Sequence, residues 1–247
     1  MIIDTHCHLY KEYYDDLEEL LKNMNQKHIY AINNGCDYKS NIEAIEISKT
    51  HKNIFAAIGI HPTEINDNKE YIDFIKLNKN NIVAIGEIGL DYYYDKSNKK
   101  EQIKLFEEQL DLAKELGLPV IIHNREATED VLNILKNYNL KGIIHAFSGS
   151  YEIAIEFIKL GYKIGIGGII TFKNSKLKNV VQNIDIKDMV LETDSPYLTP
   201  EPNRGKKNDP TNLEHIAKYI AEIKNIRYED VINITSNTAI QLFDLDI

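Results

Sequence analysis

Short aliphatic and β-branched runs alternate with longer amphipathic stretches along the whole chain. The short runs read as eight strands: Ile2 to Thr5, Ile29 to Asn33, Ile54 to Ile60, Ile82 to Gly86, Pro119 to His123, Gly142 to Ala146, Lys163 to Gly167 and Met189 to Thr193. Between them, Asp15 to Met24, Lys99 to Leu116 and Thr128 to Tyr138 place apolar residues three and four apart and carry turn residues at their ends, which predicts helices. Strand and helix alternating in this way is the pattern of βα units around a parallel sheet. Eight such units predict an α/β protein built as a (β/α)8 barrel, the open doubly wound sheet being the structural alternative. No Pro/Gly/Ser-rich break interrupts the series, so residues 1–247 are expected to form a single domain.

Composition narrows the class. The 43% hydrophobic and 27% charged content is that of a globular protein, and no apolar stretch approaches the roughly 20 residues that span a bilayer. No membrane association is therefore expected. The amino-terminal run lacks the basic region and cleavage site of a signal peptide, so a cytoplasmic protein is expected. The two cysteines, Cys7 and Cys36, have no CxxC spacing and are expected to be buried thiols. Gly165, Gly167 and Gly168 lack the GxGxxG spacing, so no nucleotide cofactor is expected. A formal charge of −9 argues against broad attraction to nucleic acid and leaves only local basic clusters, at Ser97 to Lys100 and Arg204 to Lys207.

Position is the stronger signal. His6 and His8 are two apart at the end of the first predicted strand, where an extended chain aims both imidazoles the same way. Glu87 follows the fourth strand, His123 and His145 end the fifth and sixth, and Asp194 follows the eighth. In a barrel these carboxyl ends share one mouth, where active sites are built. Taken singly, each residue could be a satisfied rim histidine or a helix cap. Together they would gather polar groups in a partly buried cavity at a cost of several kcal/mol unless a metal pairs them.

The motifs that carry these residues are DTHCH at Asp4 to His8, GIHP at Gly59 to Pro62, GEIGLDYY at Gly86 to Tyr93, PVIIHNREA at Pro119 to Ala127, HAFSGS at His145 to Ser150, YKIGIGG at Tyr162 to Gly168 and ETDSPYLTPEPNRGKKNDP at Glu192 to Pro210. In content and order the chain resembles the TatD family of metal-dependent deoxyribonucleases, and Asn237 to Phe243 resembles that family's carboxyl-terminal helix. It departs from the usual pattern at Ala146, where the family often has cysteine, and at Thr63, where it often has histidine or asparagine.

The resemblance implies a TIM barrel with a C-terminal helix and two divalent metal ions. His6, His8 and Asp194 would take one ion, His123 and His145 the other, and Glu87 would bridge them. Imidazole and carboxylate suit Mg²⁺, Mn²⁺ or Zn²⁺, and a two-ion site can acidify a shared water and clamp the oxygens of a phosphoryl transfer. Glu87 and Asp194 are the candidate catalytic residues, Asp194 as a base toward that water. His61 and Arg204 are candidate substrate contacts through phosphate oxygens, and Asp91 and Tyr93 candidate pocket residues. The implied substrate is DNA, at single-stranded 3′ ends. The alternatives are a metal-dependent ester or amide hydrolase, such as a D-aminoacyl-tRNA deacylase, and a non-catalytic metal-binding scaffold.

Overall fold

The computed structural model describes residues 1–65 and 70–247. Eight strands follow one another in a single parallel sheet in the order of the sequence: β1 (Ile2–Cys7), β2 (Ile29–Asn34), β3 (Ile54–Ile58), β4 (Ala84–Asp91), β5 (Val120–Arg125), β6 (Gly142–Ile144), β7 (Tyr162–Ile166) and β8 (Met189–Leu191). The helices among the described residues are α1 (Leu17–Gln26), α2 (Tyr38–Thr50), α3 (Tyr71–Leu77), α4 (Lys99–Leu116), α5 (Thr128–Leu135), α6 (Tyr151–Lys159), α7 (Leu177–Asn183), α8 (Leu213–Lys224) and α9 (Tyr228–Phe243). This is the expected (β/α)8 barrel with a carboxyl-terminal helix. No described helix is long and apolar enough to cross a membrane.

Local chemistry explains where elements begin and end. Helix α1 starts at Leu17 because Asp16 caps it, its carboxylate accepting from the Glu19 amide. Helix α2 opens on a capping box between Asp37 and Ser40, and α4 ends at Gly117, whose φ of +70° only glycine adopts without strain. Strand β3 stops at Ile58, short of the expected Ile60, because side chains take over its ladder. The Asn41 carboxamide bonds both backbone groups of Gly59 (2.8 and 3.1 Å), and that of Gln109 bonds both of Ile60 (2.7 and 3.0 Å). Gln102 does the same for Asp91, and Asn33 for Leu9. Strand β4, expected to end at Gly86, runs on to Asp91 because it keeps pairing with β5, up to Asp91 opposite Arg125.

Two apolar layers hold the barrel. Outside the sheet, strand residues such as Ile58 and Ile122 pack against helix residues such as Leu21, Phe106 and Phe157. Inside, Ile3, Ile32, Ala57, Ala84, Ile121, Ile143 and Val190 come from every strand except β7, and Ala239 and Phe243 of α9 pack against them. Strand β7 instead carries Gly165, where a Cβ would lie 2.3 Å from a buried carboxylate oxygen of Glu192.

The first and last strands meet through a seam of specific bonds. Thr5 Oγ1 donates to the Leu191 carbonyl (3.0 Å), the Asp194 amide to the His6 carbonyl (2.9 Å) and the His8 amide to the Ser195 carbonyl (2.8 Å). Buried Asp4 accepts from both the amide and the hydroxyl of Thr193.

Replacing Gln109 with Leu removes both partners of the Ile60 backbone inside the protein. Two unsatisfied buried groups at about 1–3 kcal/mol each predict a loss of about 2–6 kcal/mol, read as a lower urea midpoint at unchanged slope. A loss below about 0.5 kcal/mol, the size of an ordinary surface substitution, would show that Gln109 does not hold this strand end.

Candidate metal centre

Six side chains that sequence reasoning singled out converge at the carboxyl end of the barrel. His6 and His8 stand on β1 and its end, Glu87 on β4, His123 on β5, His145 just past β6 and Asp194 three residues past β8. The β1–β8 seam sets Asp194 beside the first pair: its Oδ1 lies 3.6 Å from Nε2 of both His6 and His8. Asp194 adopts the left-handed conformation, with φ of 55°, which aspartate tolerates better than most residues.

Glu87 is the centre of the group. Its Oε2 lies 3.3 Å from His6 Nε2 and 3.7 Å from His8 Nε2, while its Oε1 lies 2.7 Å from His145 Nε2 and 2.8 Å from His123 Nδ1. Burial works to raise this carboxyl, but the imidazoles of His145, His6 and His61 hold it well below the usual range. Burial and the neighbouring His145 lower His6 to about 4, so its ring is neutral.

The donor chemistry fits a divalent cation. The Nε2 atoms of His6 and His8 face each other at 3.2 Å, and His123 Nδ1 faces His145 Nε2 at 3.1 Å. Three groups of ligand atoms, each within 4.8 Å of one another, can be drawn from the cluster: His6, His8 and Glu87; His6, His145 and Asp194; and His61, Glu87 and His123. These nitrogen and carboxylate donors suit Mg²⁺, Mn²⁺ or Zn²⁺.

His61, expected as a substrate contact, sits against the cluster, its ring 4.4 Å from that of His123 and its Nε2 3.5 Å from Glu87 Oε1. Its Nδ1 accepts from the Thr63 amide (3.2 Å), which leaves the proton on Nε2, facing the cavity. Arg204 is placed differently. Its guanidinium stacks 3.7 Å over Phe172 and does not line the cavity of about 580 Å³ that opens over the cluster. A second hollow of about 660 Å³, beside α1 and the end of α2, contains none of the clustered ligands.

Several neighbours escaped the sequence reading. Asp91 and Tyr93 were expected only as pocket residues. Asp91 in fact bonds His123, its Oδ2 lying 3.0 Å from Nε2, so that His123 is held between two carboxylates. Glu192 lies fully buried behind His145, its Oε1 3.9 Å from Nδ1 and accepting from the Ala146 amide; burial, with Asp194 nearby, keeps it well above the usual carboxylate range. Cys36 was expected to be a buried thiol, but it is only partly covered. Its Sγ reaches the cluster, 3.7 Å from Glu87 Oε2, because it follows β2 at the same end of the barrel; desolvation pushes the thiol up to about 11. The ETDSP motif marked Glu192 and strand order marked Cys36, but neither signal by itself specified a contact.

The family model of the TatD related DNases matches residues 3–244. The chain belongs to that family. It is 43% identical over 255 residues to the metal-dependent hydrolase YabD of Bacillus subtilis, with 100% of each chain covered. It is also 31% identical to the metal-dependent hydrolase YcfH of Escherichia coli, covering 99% of this chain and 96% of YcfH. The crystal structure of YjjV, a TatD homologue from Escherichia coli, superposes with a TM-score of 0.92 at 28% identity, covering 99% and 98% of the two chains. This family member is a metal-dependent hydrolase.

Burial works to lower His123, but its bonds to Asp91 and Glu87 outweigh this and lift it to about 9. The ring therefore carries a proton at neutral pH that a cation must displace. Apparent Mn²⁺ affinity at this end of the cluster should rise about tenfold per pH unit between pH 7 and about 9, and Asp91→Asn should move that rise to lower pH. Calorimetric titration at several pH values reads both effects; affinity independent of pH would contradict the assignment.

Proposed function

We propose that this protein is a deoxyribonuclease that removes nucleotides from the 3′ ends of single-stranded DNA. It would use two divalent ions, one held by His6, His8 and Asp194 and the other by His123 and His145, with Glu87 between them. One observation carries the reading: Glu87 turns one carboxylate oxygen to the His6 and His8 pair and the other to the His123 and His145 pair. Ions held this way supply Lewis acidity toward a phosphodiester and an acidified water.

The chain's own groups complete the reaction. Asp194, although buried, is held below the usual carboxylate range by its bond to His8 and by the nearby histidines, so it is ionised and can take the proton of the attacking water. His61, with its proton on Nε2, can donate to a non-bridging phosphate oxygen. Burial and the neighbouring His123 lower it to about 3, so it donates as a neutral ring across the physiological range. A cavity of this size within a net charge of −9 favours a short strand end over the length of a duplex.

The test is digestion of a 5′-labelled single strand with added Mg²⁺ or Mn²⁺. Stepwise loss of nucleotides is expected, and His6→Ala and Glu87→Gln should slow it by about 100-fold or more, the upper range seen when groups supporting a metal are removed. Asp194→Asn should lose turnover while still binding metal. No metal-dependent release of nucleotides, with hydrolysis instead of esters, amides or charged tRNA in a substrate panel, would overturn the reading.

A further inference from the structure

The described side chains include four large exposed tyrosines, and two of them, Tyr94 and Tyr197, line the cavity of the candidate metal centre, with Tyr93 next to Tyr94. Tyr93 and Tyr94 are 55% and 70% exposed, an arrangement that leaves much of their apolar surface in water. Their rings meet edge to face, with centroids 5.0 Å apart. Arg125, which lines the cavity, packs against both rings, its guanidinium 3.8 Å from the centre of the Tyr93 ring and 5.0 Å from that of Tyr94.

This arginine makes no ion pair and no side-chain hydrogen bond with any described residue, although its planar fork carries five donors. The reason lies in its surroundings. Asp91 faces Arg125 across the β4–β5 ladder, but its oxygens are taken by His123 and by the Tyr93 amide. The neighbouring Glu126 is paired with Lys96 at 3.4 Å. What remains is a cation lining the cavity, oriented by aromatic faces, with its donors unused.

Arg125 also sits two residues beyond His123 on β5, so both side chains leave the same face, about 7 Å apart along the strand. That separation is comparable with the spacing of successive phosphates in an extended nucleic-acid strand.

We infer that Arg125, with Tyr93 and Tyr94, forms a nucleotide subsite: the guanidinium holds the phosphate next to the one at the metal centre, and the tyrosines stack the adjoining unpaired base. The inference rests on the reading of the protein as a deoxyribonuclease and names the residues that grip its substrate. It accounts for how an acidic protein holds a polyanion, with one oriented, unpaired arginine in place of a broad basic surface. It also explains a preference for single strands, since a base paired in a duplex has no free face to offer the shelf.

The experiment measures binding of a fluorescent oligothymidylate with phosphorothioate linkages, which resist hydrolysis, to the full-length metal-loaded protein by anisotropy. Arg125→Ala should weaken binding about tenfold, and Arg125→Lys should fall between it and the wild type, because lysine keeps the charge but loses the fork. Tyr94→Ala, at an exposed position that cannot unfold the barrel, should weaken binding of the oligothymidylate about five- to tenfold while leaving an abasic strand with the same linkages unaffected. Equal weakening on both strands would overturn the stacking role. If both arginine variants bind within twofold of the wild type while the wild type still digests unmodified single strands, the subsite is overturned and the deoxyribonuclease reading stands. If the wild type neither binds nor digests the strand, both fall.

Discussion

The backbone at the carboxyl ends of the strands must be satisfied after the sheet ladder runs out, and the rest of the molecule depends on how this is done. A buried amide N–H or carbonyl without a partner costs as much as a lost hydrogen bond or more. Here fully buried carboxamides take over, Asn33 on Leu9, Asn41 on Gly59, Gln109 on Ile60 and Gln102 on Asp91, each bonding both polar groups of one residue. A primary amide offers one donor side and one acceptor side, so it imitates a neighbouring strand for a single residue. The chain can then leave the sheet and turn into a loop while its polar groups stay paired. These are the points from which His8, His61 and the Asp91 to Tyr94 segment enter the cavity.

The same economy closes the barrel. Strands β1 and β8 share a few bonds in place of a long ladder, and Asp4 with Thr193 adds two more. Because the seam runs through His6, His8 and Asp194, closing the sheet and assembling one end of the metal cluster are a single event. Residues almost at opposite ends of the chain meet there, and either strand displaced from the other would separate the carboxylate from its two imidazoles.

Electrostatics sets the character of the cluster. Four imidazoles and two carboxylates in a largely buried space are tolerated because both Glu87 oxygens and Asp194 Oδ1 have histidine nitrogens close by. The balance is local: His6 is driven neutral by burial, while His123, between Glu87 and Asp91, is driven to hold its proton. Beyond this inner group lie two carboxylates behind the histidines, Asp91 on His123 and Glu192 behind His145, and Gly165 leaves the room that Glu192 occupies. Orientation of a ligand ring by such a partner is a common means of setting its tautomer.

By itself, the sequence determined the eight strands, their order and the set of polar residues at their carboxyl ends. These follow from local properties, the run of apolar residues and the two-residue period that aims His6 and His8 together. The limits of β3 and β4 were less legible, since they depend on amides from distant helices and on pairing with β5. Only the tertiary structure decided which Glu87 oxygen faces which histidines, that Cys36 reaches the cluster, and that Arg204 lies on Phe172 outside the cavity while Arg125, stacked on Tyr93, lines it. Arg125 and Arg204 sit in equally recognisable motifs, and nothing local separates them. The difference arises from which carboxylates and rings the folded chain brings beside each guanidinium, and that is set by register, closure and loop path between segments far apart in sequence.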